Sequence, residues 1–173
     1  PTRNQLITQI LRDTMRNRNR KVLLLTERRN HAQEIKRLLD QQDPKPNFTY
    51  GLFLGGMKID YLNESRQQDV IIATMAAFAE GVSERDLNTL VLVSPKKFVS
   101  QASSQRTGGK RDNGKMEQIV GRIFRKDHSD DTPALIIDLA DQFSVFKTHS
   151  AQRRKFYREH FKDVTINYTT VDL

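Results

Sequence analysis

Lys21 to Arg29, K-V-L-L-L-T-E-R-R, decides the fold. Four apolar residues in a row, Val22 to Leu25, follow a lysine and stop at a threonine. The run is too short for a helix and lacks the alternation of a strand with one face in water. It suits a strand buried on both faces, the habit of parallel sheets covered by helices. Thr26 can cap a following helix, with Glu27 acidic in its first turn. Ala32, Ile35, Leu38 and Leu39 supply that helix with a core stripe. Upstream, Leu6, Ile7, Ile10, Leu11 and Met15 recur at helical spacing within Asn4 to Arg18, and Asn17 to Arg20 breaks the helix with a basic turn.

Downstream the alternation continues. Phe48 to Leu54 reads as a second strand and Asp69 to Ala73 as a third, ending at Thr74. Thr89 to Val93 is a fourth, stopped by Ser94-Pro95, and Ala134 to Leu139 a fifth. Val164 to Val171 is a candidate sixth. Between them lie a short polar helix (Ile59 to Gln68), a helical turn closed by Gly81 (Met75 to Glu80) and an aromatic helical stretch (Phe143 to Phe161). The pattern predicts one α/β domain over residues 1–173, a parallel sheet of about six strands with helices on both faces. Ligands of such sheets sit beyond the carboxyl ends of the strands. Thr26, Gly55, Thr74 and Ser94 all fall just past predicted strand ends.

Composition narrows the partners. A net charge of +8 and a pI near 9.9 favour a polyanion such as nucleic acid. The absence of cysteine excludes disulfides and cysteine zinc sites, and makes an intracellular setting the natural reading. His31, His128, His149 and His160 show no metal-ligand spacing, so no metal site is expected. No apolar run approaches the ~20 residues of a membrane span, so no membrane partner is expected. Pro1-Thr2-Arg3 resembles neither an initiator nor a signal peptide, and the chain reads as a piece of something longer. Gly51-x-x-x-x-Gly56 with Lys58 is no P-loop: Met57 stands where the lysine is needed, and no Ser or Thr follows Lys58. Backbone amides of Gly55-Gly56-Met57-Lys58 can still point at a phosphate.

Met116 to Lys126, M-E-Q-I-V-G-R-I-F-R-K, carries the strongest chemical signal. At 3.6 residues per turn, Met116, Ile119, Val120, Ile123 and Phe124 share one side. Gln118, Arg122 and Arg125 share the other, with Gly121 beside them. Arginine suits an anion because its planar fork makes paired hydrogen bonds to phosphate and stays charged. Phe98 to Lys115, just before it, is rich in Ser, Gln, Gly and Lys/Arg and reads as a surface loop. Arg153-Arg154-Lys155 with Arg158 reads as a solvated basic face.

These stretches resemble a known family. Gln118 to Arg125, Q-I-V-G-R-I-F-R, resembles the Q-x-x-G-R-x-x-R signature (motif VI) of superfamily 2 helicases. Ala73-Thr74 with Glu80-Gly81 resembles their motif V, and Lys21 to Arg29 is similar to their motif IV. The three stand in family order and match the second of two RecA-like domains, nearest to helicases of large DNA viruses of the poxvirus and African swine fever virus kind.

The resemblance implies roles. Arg122 and Arg125 would reach the terminal phosphates of a nucleotide, Arg125 as arginine finger, with Gln118 close by. Glu80, Gly81 and Ser83 would lie on the nucleotide side. Ser83 stands where the pattern has a ribose-binding aspartate, which leaves that contact open. Thr74, Arg28, Gly55, Gly56 and Lys58 would touch the nucleic-acid backbone; for Thr26, contact and helix cap both stand. ATP and Mg2+ would be held mainly by a first RecA-like domain, since neither a Walker A lysine nor a D-E-x-[DH] box occurs in this sequence. Partners would be that domain and nucleic acid, expected to be DNA, and the domain by itself would be inactive. The alternative is a non-catalytic nucleic-acid-binding module with a degenerate RecA-like fold.

Overall fold

Val22–Thr26 (β1) is buried at every residue and sits at the middle of the sheet, as its apolar run requires. A computed structural model of the chain describes residues 2–81, 86–94, 118–121, 123, 132–161 and 164–172, the side chains of 79–81 and 144 excepted. The elements run α1 (Arg3–Thr14), β1, α2 (Arg29–Asp40), β2 (Tyr50–Phe53), α3 (Ile59–Gln67), β3 (Val70–Thr74), α4 (Met75–Gly81), β4 (Thr89–Leu92), β5 (Leu135–Asp138) and α5 (Ser144–His160). Residues 118–121 and 123 are helical as well. The sheet has the order β2-β3-β1-β4-β5, and every pairing is parallel. Val22 aligns with both Val70 and Thr89, and Leu92 aligns with Asp138. All carboxyl ends therefore lie on one edge.

Because side chains alternate along a strand, each buried strand feeds two cores. Leu23 and Leu25 join Ile71, Ala73, Leu90 and Leu92 in one, closed by Phe78, Ile119, Val120, Ile123, Phe156 and Tyr157. Val22 and Leu24 join Val70, Ile72 and Val91 in the other, closed by Ile7 and Leu11 of α1 and by Ala32, Ile35 and Leu39 of α2. The sheet is thus covered on both faces. Among the described residues no helix is long and apolar enough to cross a membrane.

Three expectations need correction. Residues 164–172 form no strand. Their β propensity needs a partner ladder to act, and they are held to α5 instead. The Tyr168 hydroxyl accepts from Arg158 at 3.0 Å, and the Arg154 guanidinium lies 5.8 Å from the centre of its ring. Thr26 does not cap α2: it ends β1, the helix starts three residues later, and Arg28 occupies the cap position without a side-chain hydrogen bond. Arg153 is not on a solvated face. It is 1% exposed and gives two charge-assisted hydrogen bonds, 2.7 and 2.8 Å, to Asp138 at the end of β5. Lys155 and Arg158 do face solvent.

Gly51 shows how closely α3 rides on β2. A Cβ there would stand 2.8 Å from Ser65 Oγ and 3.1 Å from Ser65 Cα, while that Oγ donates to the Leu52 carbonyl at 2.7 Å. The backbone contact leaves α3 little room to retreat. Gly51→Ala should cost about 1–3 kcal/mol by overpacking, read as a lower urea midpoint with an unchanged slope. An unaltered midpoint would mean that α3 yields freely.

Candidate functional site

Five strand exits converge on the carboxyl edge, and a hydroxyl network joins two of them. β1 and β4 continue side by side past their last paired residues, with Val93 N donating to Leu25 O at 3.1 Å. Thr26 and Ser94 then face each other, Oγ to Oγ at 3.1 Å. Ser94 Oγ accepts the Glu27 amide at 3.0 Å, and Thr26 Oγ1 accepts the Arg28 amide at 3.4 Å. The Thr26 hydroxyl also meets His31 Nδ1 at 2.8 Å, and His31 Nε2 meets Asn4 Oδ1 of α1 at 3.0 Å. A hydroxyl has one proton and two lone pairs, so Thr26 is fully engaged inside the protein, and it is fully buried. It holds the turn; the exposed part of that turn is Glu27 and Arg28.

The neighbouring exits are built differently. After β2 the chain turns over Leu54 to Met57, with Met57 N donating to Leu54 O at 3.3 Å. Gly56 has φ +77°, the left-handed value that the third residue of a type II turn demands. Gly55, Gly56 and Lys58 are exposed, and a Cβ at either glycine would meet nothing within 4 Å. The turn is open to an approaching phosphate. Arg29 donates to the Gly55 carbonyl and so ties the exits of β1 and β2 together. After β3, Thr74 is buried and its Oγ1 accepts the Ala77 amide at 3.4 Å, which caps α4. Beyond β5, Asp141 accepts from Arg3 of α1 at 2.9 and 3.2 Å. Sequence reasoning named Arg28 and missed the bonding of Arg29, His31, Asn4 and Ser94; apart from His31 with Thr26, five residues away, the partners lie too far along the chain for any local signal.

The motif helix is placed only in part. Ile119, Val120 and Ile123 are buried in the core and Gln118 is exposed, as the stripe requires. Glu80 and Gly81 close α4. Arg122, Arg125 and Ser83 lie outside the described residues, as does Phe98 to Lys115. No three His, Asp or Glu side chains come together among the described residues. The donors there suit phosphate, through amides and cations, and Mg2+ would need carboxylates from elsewhere.

Charge acts on one member of the network. Burial, then the Arg3 and Arg28 cations, hold the His31 imidazole below its ordinary value. The folded state therefore favours neutral His31. The stability it contributes is present above pH ~6.5 and is lost as pH falls through the lowered pKa.

No family model matches the chain. It is 24% identical over 189 residues to a protein of Acanthamoeba polyphaga mimivirus named "Putative ATP-dependent RNA helicase L396", covering 100% of this chain and 32% of that one. It is 22% identical over 108 residues to "Putative ATP-dependent RNA helicase QP509L" of African swine fever virus, covering 62% and 18%. The chain thus spans about a third or less of these relatives. The C-terminal domain of the DEAD-box protein Dbp5 has the same fold, with TM-score 0.61 at 11% identity over 94% of this chain and 80% of that domain. The parallel 2-3-1-4-5 sheet and the likeness to the Dbp5 domain agree on a RecA-like fold, and viral proteins named as putative ATP-dependent RNA helicases are among the chain's relatives.

Proposed function

We propose that the chain is the second motor domain of an ATP-dependent nucleic-acid helicase or translocase. What supports the reading best is the single carboxyl edge, where the open Gly55-Gly56 turn, Lys58 and the Glu27-Arg28 turn stand together. These groups would grip the sugar-phosphate backbone. Such contacts fix position without reading sequence, which is what a motor that must travel needs. Arg122 and Arg125, with Gln118, would complete an ATP site whose Mg2+ and phosphate cradle come from a first RecA-like domain. Closing of the two domains on bound ATP and opening after its hydrolysis would then move two backbone grips along one strand. Ser83 in place of an aspartate leaves ribose contact to a hydroxyl or to Asp86.

The track is proposed to be DNA, on the resemblance to helicases of large DNA viruses. RNA is the second reading, favoured by the names of the viral relatives. The test is ATP hydrolysis by this chain alone and by the longer protein, each with single-stranded DNA or RNA. We expect no turnover from this chain alone. The longer protein should turn over and be stimulated by DNA more than RNA. Turnover by the chain alone that falls on Arg125→Ala would sink the half-site reading. Stimulation by RNA only would transfer the track to RNA. A longer protein that binds nucleic acid and never hydrolyses ATP would make the domain a non-catalytic binding module.

A further inference from the structure

The Asn4–His31–Thr26–Ser94 network has a single direction. The Asn4 side-chain oxygen can only accept, so His31 Nε2 carries the proton that bridges the 3.0 Å gap. A neutral imidazole has one N–H, so Nδ1 is the acceptor and the Thr26 hydroxyl donates to it at 2.8 Å. With its proton spent, Thr26 must accept from the Ser94 hydroxyl at 3.1 Å. Ser94 in turn uses a lone pair for the Glu27 amide at 3.0 Å, and Thr26 uses its second for the Arg28 amide. Each donor points at an acceptor with none left over. The relay starts on α1, crosses α2 and ends on the backbone amides of the β1–α2 turn.

We propose that His31 is a positioning residue: as the neutral Nε2–H tautomer it sets this relay and so holds the Glu27–Arg28 turn in the shape that meets a nucleic-acid backbone. The proposal rests on the functional reading above and names a residue that the reading does not use. A proton on Nδ1 would face the Thr26 hydroxyl donor to donor. Thr26 would have to turn its hydrogen away, Ser94 would lose its acceptor, and the turn would loosen. The charged groups acting on the ring among the described residues are Arg3 from α1, itself paired with Asp141, and Arg28 from the turn; both disfavour that proton.

The sign of the pH effect separates this idea from simple charge. An added cation on a phosphate-binding surface should strengthen binding as pH falls. A broken relay should weaken it. The experiment has two parts: nitrogen-15 NMR of the His31 ring in this chain at pH 7.5, and affinity for oligo-dT between pH 7.5 and 5.5 for wild type, His31→Gln and His31→Ala. Glutamine keeps one acceptor and one donor and cannot titrate. We expect the Nε2–H tautomer, and wild-type affinity that drops on acidification relative to His31→Gln. At pH 7.5 the alanine variant should bind about three- to tenfold more weakly, the span of one lost hydrogen bond. An Nδ1–H tautomer or an imidazolium at pH 7.5 would overturn the proposal, as would wild-type affinity that rises on acidification relative to His31→Gln. If the tautomer is as stated but neither wild type nor variant binds oligo-dT, the relay stands and its role in binding falls, while the functional reading is decided separately by ATP turnover of the longer protein.

Discussion

Replacing Asp138 by alanine should destabilise the domain by about 3–5 kcal/mol, the usual cost of removing one partner from a buried ion pair. Asp138 ends β5 and accepts both bonds of the Arg153 fork. The Arg153 side chain is 1% exposed and that of Asp138 is 15% exposed, so water can do little to replace the lost carboxylate. Tyr157 donates a third hydrogen bond to the same carboxylate at 3.2 Å. Burial, then the Asp138 charge, push that phenol well above its ordinary value, so it remains a donor. Three side chains thus fasten α5 to β5, which among the described residues is paired on one side only. Urea unfolding measures the loss. Adding Arg153→Met to Asp138→Ala should recover part of it, because a buried ion pair can often be exchanged for apolar packing. A single variant within about 1 kcal/mol of wild type would show that this cluster is not what holds α5.

The second large effect is expected in catalysis. In the longer protein Arg125→Lys should impair ATP hydrolysis almost as much as Arg125→Ala. Lysine keeps the charge and loses the planar fork and some of the reach. An arginine finger is worth about 10³–10⁵ in rate to a GTPase, and the loss here should lie at or below the lower end. Affinity for nucleic acid without nucleotide should change little. Near-full turnover with lysine, or variants that fail to fold, would remove Arg125 from the site.

Much of the architecture was readable because parallel strands advertise themselves. Val22 to Leu25 and Val70 to Ala73 are apolar throughout, and only a sheet covered on both faces has a use for that. Where a strand depended on a partner, as in residues 164–172, propensity misled. The burial of Arg153 had a signal that its charge concealed: Phe156 and Tyr157 lie three and four residues on, so all three share one helix face. Charge argued for water and periodicity argued for the core; Asp138 decided between them. The motif residues carried no such conflict, and the apolar stripe of Ile119, Val120 and Ile123 is seated as its spacing requires. The His31 relay was out of reach, because Asn4, Thr26 and Ser94 meet only after α1, β1 and β4 are assembled. Nothing local to any of them announces the others.

The place of β1 in the sheet has a consequence for biosynthesis. Val22 to Thr26 leave the ribosome before both of their neighbours, Val70 to Thr74 on one side and Thr89 to Leu92 on the other. At about 5–20 residues per second, the stickiest strand of the domain waits on the order of several seconds for its first neighbour and longer for its second. Through that interval V-L-L-L is a ready template for another nascent chain. Arg18, Arg20 and Lys21 before it, and Arg28 and Arg29 after it, flank it with like charge. Two such segments from different chains repel as they approach, so the basic residues guard the newborn strand before any of them is needed at the finished surface.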